Sequence, residues 1–273
     1  MASFERKIAI VTGGGSGIGR ELCKQLAAGG ATVVVSDING ESAEVVAAAI
    51  DKTGGRATAA TLDVTDADAV QALVDTTNSE HGRIDLMFNN AGIAIIGEAL
   101  DMELADWYRI FDINVRGVVH GVHAVYPIMV KQGSGHIVNT ASVAGLAPAP
   151  NLTAYAATKH AVVGLSRSLR AEAVFHGVDV SVVCPGVIDT AITHNAKVVN
   201  LDRDKLTDLP IKIMSADKCA KEILRGVAKN KPEIVVTAHG RAIYGIQRLA
   251  PKIASRLAAL QMKRQILHMK TND

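Results

Sequence analysis

The chain has 273 residues, of which 48% are hydrophobic, 21% are charged and only 3% are aromatic. A net charge of +2 argues against a dedicated nucleic-acid-binding protein, and the length suffices for one large α/β domain. The cysteines Cys23, Cys184 and Cys219 lie far apart, which fits a reducing compartment and gives no metal-ligand spacing. We see no signal peptide and no apolar run long enough to span a membrane, so we expect a cytoplasmic protein.

Short runs rich in β-branched residues alternate with longer alanine-rich segments of helical spacing. The predicted strands are Lys7–Thr12, Thr32–Ser36, Ala57–Leu62, Ile84–Asn89, Gly135–Thr140, Asp179–Cys184 and Glu233–Val236. The predicted helices are Gly17–Ala28, Ser42–Asp51, Asp66–Glu80, Trp107–Met129 and Ala154–Phe175. Such alternation predicts βαβ units, and hence an α/β fold with a Rossmann-like, doubly wound, parallel seven-stranded sheet and helices on both faces. We assign it to one catalytic domain, residues 1–238.

The glycine-rich segment Thr12–Gly19 follows the first strand and begins the first helix. Here glycines allow a tight turn and let a pyrophosphate meet backbone N–H groups at a helix N-terminus. The pattern T-G-x-x-x-G-x-G is met in full. We therefore predict a dinucleotide site that includes Gly13, Ser16, Gly17, Ile18 and Gly19.

The second strand leads to Asp37, about 20 residues beyond the glycines, where a carboxylate can accept both ribose hydroxyls of adenosine. The same charge would repel the 2′-phosphate of NADP. No Lys or Arg follows directly, and position 16 is Ser. NAD is therefore the favoured cofactor. The alternative role for Asp37 is to cap the helix that begins near Glu41.

Tyr155 and Lys159 stand four residues apart on a predicted helix and so share one face. A lysine ammonium near a phenol stabilises the phenolate and lowers the tyrosine pKa from its ordinary value of about 10. Tyrosine can then act as a general acid or base near neutral pH. The pair is a weak indication by itself, because such spacings arise by chance.

Taken together, the motifs resemble those of the short-chain dehydrogenase/reductase family in its single-domain branch. They are Thr12–Gly19, Asp63-Val64, Asn89-Asn90-Ala91-Gly92, Asn114, Ser142, Tyr155 with Lys159, and Pro185-Gly186 through Thr190. The resemblance covers residues 7 to about 190. It implies an NAD-dependent oxidoreductase that interconverts an alcohol and its aldehyde or ketone.

The resemblance also implies roles for four catalytic residues. Tyr155 would exchange a proton with the substrate oxygen, and Ser142 would hold that oxygen beside it. Lys159 would bind the nicotinamide ribose and lower the tyrosine pKa. Asn114 would hold a water that relays protons from Lys159 to solvent. The alternative for Asn114 is an amide that bends its helix by bonding to the backbone.

Other residues would position the cofactor, again by resemblance. Asp63 would accept a hydrogen bond from the adenine amino group, and Val64 would offer its backbone. Capping of the next helix is the alternative for Asp63, although Asp66 is the more natural cap.

The ends of two further strands complete the implied cofactor site. Asn90 would steady the sheet, and Gly92, after Ala91, would let the adenine ribose approach closely. The motif that begins at Pro185 and Gly186 continues to Ile188 and Thr190, whose backbone and hydroxyl would hold the nicotinamide carboxamide.

Residues 186–214 follow a strand without clean periodicity, which is typical of a substrate lid at the carboxyl end of a sheet. The lid and the 94–98 loop are mostly apolar, which hints at a hydrophobic substrate such as a steroid, a retinoid or a long-chain aldehyde. His194 in the lid is a further candidate for substrate contact. We expect no metal site, because His120 and His123 lack a third ligand at a consistent spacing.

Residues 239–273 are predicted to form a basic amphipathic helical extension, broken near Pro251. Its apolar residues Ile246, Ile253, Leu260 and Leu267 recur every seven positions, and seven Lys or Arg residues stand against one acid, Asp273. It could pack on its own or a neighbouring subunit, or lie peripherally on an anionic membrane. No nucleic-acid partner is expected, because this extension is poor in aromatic residues and contains no known nucleic-acid-binding motif. The family resemblance implies a homodimer or homotetramer formed through the two long helices.

Two other functions stay open at this point. One is an NADPH-dependent carbonyl or acyl-chain reductase. The other is a catalytically silent scaffold that senses a dinucleotide, against which the intact Asn114, Ser142, Tyr155 and Lys159 count.

Overall fold

The computed structural model of the chain describes residues 3–203 and 213–269, without the side chains at 193, 194, 261 and 263–269. The strands are β1 (Ile8–Thr12), β2 (Thr32–Asp37), β3 (Arg56–Thr61), β4 (Leu86–Asn89), β5 (Ile95–Ile96), β6 (Gly135–Thr140), β7 (Val178–Cys184), β8 (Ile188–Asp189), β9 (Lys197–Val198), β10 (Met214–Ser215) and β11 (Glu233–Val235). The α-helices are α1 (Gly17–Ala28), α2 (Gly40–Asp51), α3 (Ala67–His81), α4 (Leu104–Phe111), α5 (Gly117–Gln132), α6 (Thr153–Ala173), α7 (Ala191–His194), α8 (Ala216–Val227), α9 (Ala238–Leu249) and α10 (Pro251–Met269).

The central sheet has seven strands in the order β11-β7-β6-β4-β1-β2-β3, and all its pairings are parallel. The chain builds the sheet outward from β1 to β3, then returns to the other side of β1 with β4. The predicted Rossmann-like seven-stranded sheet is confirmed. The strand order reverses between β1 and β4, and at such a point a crevice opens beyond the carboxyl ends of the strands.

Two apolar cores lie on opposite faces of the sheet, because successive strand residues point to opposite sides. On β1, Ala9 and Val11 belong to a core that also contains Leu22 of α1 and Ile223 of α8. Ile10 faces the other core, which α3 and α5 cover. Helix α8 is not among the predicted helices, although Cys219, Ile223 and Val227 recur at helical spacing.

The predicted helix Trp107–Met129 is longer than expected and is interrupted. It begins with α4, passes through a π-helical segment, Asp112–Arg116, and continues as α5. The N–H of Gly117 donates to the carbonyl oxygen of Asp112, five residues earlier, as the wider π turn requires. The interruption lies at Asn114, whose side chain bonds to a neighbouring loop rather than to solvent.

Candidate active site

The glycine-rich loop joins β1 to α1 in a conformation that requires glycine. Gly13 and Gly17 have φ angles of +65° and +50°, in the region that side chains disfavour. A Cβ atom on Gly13 would lie 2.9 Å from the Cα of Ala91, and one on Gly19 would overlap the carbonyl oxygen of Gly13. The close packing brings the end of β1 against the end of β4.

The N-terminus of α1 is suited to an anion. Ser16 is its N-cap and makes no side-chain capping hydrogen bond, and the first turn contains no acidic residue. The N–H groups and the positive end of the helix dipole therefore face the loop without a competing carboxylate from α1 itself. This arrangement fits the pyrophosphate of a dinucleotide.

Partly buried hydrogen bonds tie three strand ends together around the loop. The Thr12 hydroxyl oxygen accepts from the N–H groups of Asn90 and Ala91, each at 3.0 Å. The Asn90 amide donates to the carbonyl oxygen of Thr12 at 3.1 Å, and its oxygen accepts from the Thr140 hydroxyl at 3.4 Å. These bonds join β1, β4 and β6 at the edge where the crevice opens.

Asp37 lies against the glycine loop. One carboxylate oxygen accepts from the N–H of Gly15 at 3.0 Å, and the other accepts from the N–H of Asn39 at 3.0 Å. The cap of α2 is Asn39, whose side-chain oxygen accepts from the N–H of Ser42. The capping role considered for Asp37 thus belongs to Asn39, and the carboxylate remains beside the predicted dinucleotide site.

The next strand end carries Asp63 and Val64. Asp63 is exposed, and one of its oxygens accepts from both the N–H and the hydroxyl of Thr65 at 2.8 Å. Asp66 caps α3, so Asp63 does not. Nδ1 of His120 lies 2.9 Å from the Val64 carbonyl oxygen.

Within the described part of the chain, no group of three His, Cys, Asp or Glu side chains could hold a metal ion.

Ser142, Tyr155 and Lys159 meet at the carboxyl edge of β6. The Lys159 ammonium is buried, donates to the Thr140 carbonyl oxygen at 3.0 Å and lies 5.5 Å from the centroid of the Tyr155 ring. Ser142 caps a short 3₁₀ turn, where its hydroxyl oxygen accepts from the N–H of Ala144 at 3.2 Å, and it acts to lower the pKa of the Tyr155 phenol. A Cβ atom on Gly92 would lie 3.4 Å from the Lys159 nitrogen. The lack of a side chain at Gly92 keeps the space beside the ammonium open.

Burial dominates the protonation of the Tyr155 and Lys159 pair. It raises the pKa of Tyr155 to about 12, against an opposing effect of the Ser142 hydrogen bond. It lowers the pKa of Lys159 to about 8. The spacing of the pair on one helix predicts that the Lys159 ammonium lowers the pKa of Tyr155. In the protein alone the opposite shift is found, because loss of water destabilises both the phenolate and the ammonium.

Asn114 ties the π turn to its surroundings. Its side-chain oxygen accepts from the N–H of Ile93 at 2.9 Å, and its amide donates to the Ile93 carbonyl oxygen and to the Thr158 hydroxyl. The Asn114 amide therefore bonds to backbone groups, as the alternative role of a helix-bending amide requires. Because Thr158 precedes Lys159, these bonds also position the segment of α6 that carries the ammonium. The relay role of Asn114 stays a prediction.

The segment after β7 packs against the 3₁₀ turn capped by Ser142 and against the glycine loop. The Pro185 carbonyl oxygen accepts from the N–H of Val143 at 2.9 Å and from the Ser142 hydroxyl at 3.4 Å. Ile188 is buried in the core beside α8. The Thr190 side chain lies 3.2 Å from where a Cβ of Gly17 would stand. The segment therefore bridges the turn at Ser142 and the glycine loop.

The two apolar segments expected to meet the substrate are joined. In the short parallel ladder of β5 with β9, Ile95 pairs with Lys197 and Ile96 with Val198. The Lys197 ammonium forms an ion pair with buried Asp106 of α4 at 2.8 Å. The described lid is thus fastened to both the 94–98 loop and α4. Residues 204–212 of the predicted lid and the His194 side chain lie outside the described residues.

Two further residues of the site, Thr237 and His239, belong to no motif recognised in the sequence. Nε2 of His239 accepts from the N–H of Val187 at 3.3 Å and lies 3.3 Å from the Thr237 hydroxyl. A Cβ on Gly186 would overlap both side chains. Buried Thr237 has a φ of +81°, which is strained for a β-branched residue. Both residues follow β11, whose carboxyl end lies at the site edge, and that position was the available indication.

Comparison with known proteins agrees with this geometry. The sequence model of the short chain dehydrogenase family matches residues 7–199. The chain is 36% identical over 266 residues to a Mycobacterium tuberculosis protein that carries the oxidoreductase name SadH, covering 95% of this chain and 96% of that protein. It is 38% identical over 190 residues to cyclohexanol dehydrogenase of an Acinetobacter species, covering 69% and 76% of the two chains.

A solved structure of a short chain dehydrogenase/reductase from Burkholderia phymatum, in complex with NAD, superposes with a TM-score of 0.83 at 30% identity. The match covers 93% of this chain and 96% of that one. The fold and the site thus define an oxidoreductase class with a nicotinamide dinucleotide cofactor and a small-molecule substrate. The chain belongs to the short-chain dehydrogenase family.

Proposed function

We propose that the protein is an NAD-dependent oxidoreductase that interconverts a hydrophobic alcohol and its aldehyde or ketone. The observation that carries the proposal is the convergence of Ser142, Tyr155 and Lys159 beside Gly92 at the crevice edge. A structural role alone does not explain a lysine that is 3% exposed and donates to a carbonyl oxygen, because burying an ammonium is costly.

NAD fits the residues present. The glycine loop and the N-terminus of α1 would hold the pyrophosphate, and Asp37 would accept the ribose hydroxyls of adenosine while repelling a 2′-phosphate. Lys159 would bind the nicotinamide ribose, Gly92 would let the adenine ribose approach closely, and the Ile188 backbone and Thr190 hydroxyl would hold the carboxamide. The NAD in the related Burkholderia phymatum structure supports this choice.

When bound, oxidised NAD would supply the acceptor for the hydride that leaves the alcohol carbon. The Ser142 hydroxyl would orient the substrate oxygen towards Tyr155. Tyr155 would take the alcohol proton during oxidation and return it during reduction. Lys159 would stabilise the phenolate while its ammonium stays charged. Because the pKa of Tyr155 is about 12 in the protein alone, the phenol is ready to donate a proton to a carbonyl substrate.

The substrate is expected to be apolar, of the steroid, retinoid or long-chain type. Tyr155 packs against an apolar cluster built on Ile95 and Ile110, with Trp107 and Val199 at its margin. A substrate oxygen near Tyr155 would therefore place its carbon skeleton among these side chains. The related cyclohexanol dehydrogenase is named for an apolar ring alcohol and supports this choice.

A turnover screen of alcohols with NAD⁺, followed by NADH absorbance, tests the proposal. Tyr155→Phe should reduce turnover by at least a factor of about 10³, as removal of a general acid or base does, while NADH binding remains. Tyr108→Phe is the matched control, because Tyr108 is exposed on α4. Equal turnover by the Tyr155→Phe and unaltered proteins would instead support a dinucleotide-sensing scaffold.

We further propose a homodimer or homotetramer formed through α5 and α6. Val119 is exposed on α5, and Ala161 and Gly164 form a small, exposed strip on α6 where a second helix could approach closely. Gly164→Arg should reduce the mass found by light scattering.

The three buried free cysteines support our placement of the enzyme in the cytoplasm.

A further inference from the structure

Helices α9 and α10 carry large apolar side chains that are exposed in the described part of the chain. On α9, Tyr244 faces the domain and donates to Glu233 at 2.8 Å. The helix pair also carries five exposed apolar residues, Ile246, Leu249, Ile253, Leu257 and Leu260, with exposed fractions of 40%, 87%, 54%, 51% and 59%. We call these five residues, with Lys252 and Arg256, the C-terminal surface.

The exposure is unusual for a helix of this length. From Pro251 to Leu260 no residue of α10 is buried. Isolated helices are marginal in water, and most helices depend on packing of an apolar face. A run of large aliphatic side chains at helical spacing on a protein surface usually marks a contact site. The C-terminal surface is therefore expected to have a partner.

The C-terminal surface is basic, which indicates the charge of its partner. No Asp or Glu occurs between Glu233 and Asp273. Arg241 pairs with Glu222 at 3.4 Å, but neither Lys252 nor Arg256 has a carboxylate partner among the described residues. Each of these two immediately precedes an apolar residue, Ile253 or Leu257, so a basic row runs beside the apolar row on α10. The partner should be apolar and anionic.

We propose that the C-terminal surface lies in the interface of an anionic lipid membrane. Ile253, Leu257 and Leu260 would enter the acyl boundary while Lys252 and Arg256 stay at the headgroups. A second copy of the chain is the weaker partner, because a two-fold contact would set the same basic row against itself. Within the described residues no helix is long and apolar enough to cross a bilayer, which agrees with a helix that lies along the surface.

Flotation of the full chain with phosphatidylcholine vesicles, with and without phosphatidylglycerol, tests the proposal. Binding is expected only with phosphatidylglycerol and should weaken with salt. Lys252→Gln with Arg256→Gln should reduce it about 30-fold, from about 1 kcal/mol for each basic residue near an anionic surface. Ile253→Gln with Leu257→Gln should also release the protein. Lys52→Gln with Lys131→Gln removes the same charge from exposed sites on other elements and should bind normally.

Two outcomes would overturn this assignment. The first is an equal loss of binding in the control pair, which would make net charge responsible. The second is a fall in the mass found by light scattering for Ile253→Gln with Leu257→Gln, without vesicle binding by the unaltered chain. That result would mean that a second copy covers the surface. Neither readout depends on catalysis, so failure here leaves the proposed oxidoreductase function untouched.

Discussion

Nε2 of His239 accepts a hydrogen bond from the N–H of Val187 across 52 residues of sequence. The contact fastens the segment after Gly186 to the start of α9, although the family match ends at residue 199. Because Ile188 and Thr190 continue from that segment, His239 is expected to position the nicotinamide side of the cofactor site.

His239→Leu should remove this positioning, whereas His239→Gln should keep an acceptor near the same place. We expect kcat/KM for NAD⁺ to fall about 5- to 10-fold in His239→Leu, the size of one neutral hydrogen bond. Hydrogen exchange of the cofactor-free protein should show faster exchange of the Val187 amide only in His239→Leu. Identical behaviour of the two variants would mean that the acceptor has no such role.

The pH dependence should follow the Tyr155 and Lys159 pair. The pair loses its first proton with a pKa of about 8, which is assigned to Lys159. The resulting form with a neutral amine and a neutral phenol has the same number of protons as the form with an ammonium and a phenolate, so both appear over the same pH range. At saturating NAD⁺, kcat/KM for the alcohol should therefore rise about tenfold per pH unit below the midpoint and then level off.

Carbonyl reduction needs the protonated pair, so its rate should fall through the same pH range. Lys159→Arg keeps the charge but removes the titrating amine, and should raise the midpoint above that of the unaltered enzyme. A pH-independent oxidation rate between pH 6 and about 8 would contradict proton transfer by this pair.

Asp37 should determine the choice of cofactor through its charge. Asp37→Asn removes the charge but keeps an oxygen that can accept from Gly15, so the loop should stay in place. The ratio of kcat/KM for NADP⁺ to that for NAD⁺ is expected to rise at least about tenfold, because one repulsion of a 2′-phosphate is removed.

Asp37→Ala should raise that ratio too, while also loosening the glycine loop. Thermal unfolding of the cofactor-free proteins distinguishes the two variants, with a lower midpoint expected only for Asp37→Ala. An unchanged cofactor ratio in both would remove the argument for NAD.

The Thr12 hydroxyl should contribute to stability, because it satisfies two backbone N–H groups beneath the crevice. Each buried donor left without an acceptor costs about 1–3 kcal/mol, so Thr12→Val should lower the free energy of unfolding by about 2–4 kcal/mol. Thr12→Ser keeps the hydroxyl and should lose much less. Urea unfolding measures both variants, and equal losses would mean that the methyl group, not the hydroxyl, stabilises this position.

Several features of the protein could be predicted from local sequence. Alternation of β-branched strands with helical segments determined the parallel sheet, since each pattern reflects which face a residue buries. The positive φ at Gly13 and Gly17 follows from a turn that other residues fit poorly. Asp66 was recognised as a helix cap, because capping depends on residues only three positions apart.

Contacts between distant segments were decided by the tertiary structure. The pKa shifts of Tyr155 and Lys159 depend on burial by elements far away in the chain, which their spacing on one helix does not reveal. The contact of His239 with Val187 arises only because β7 and β11 are neighbours in the sheet. Sequence alone thus determined which side chains stand at the strand ends, through periodicities of two and about 3.6 residues. Folding decided which of them meet and how much water they keep, because those quantities depend on the packing of the whole chain.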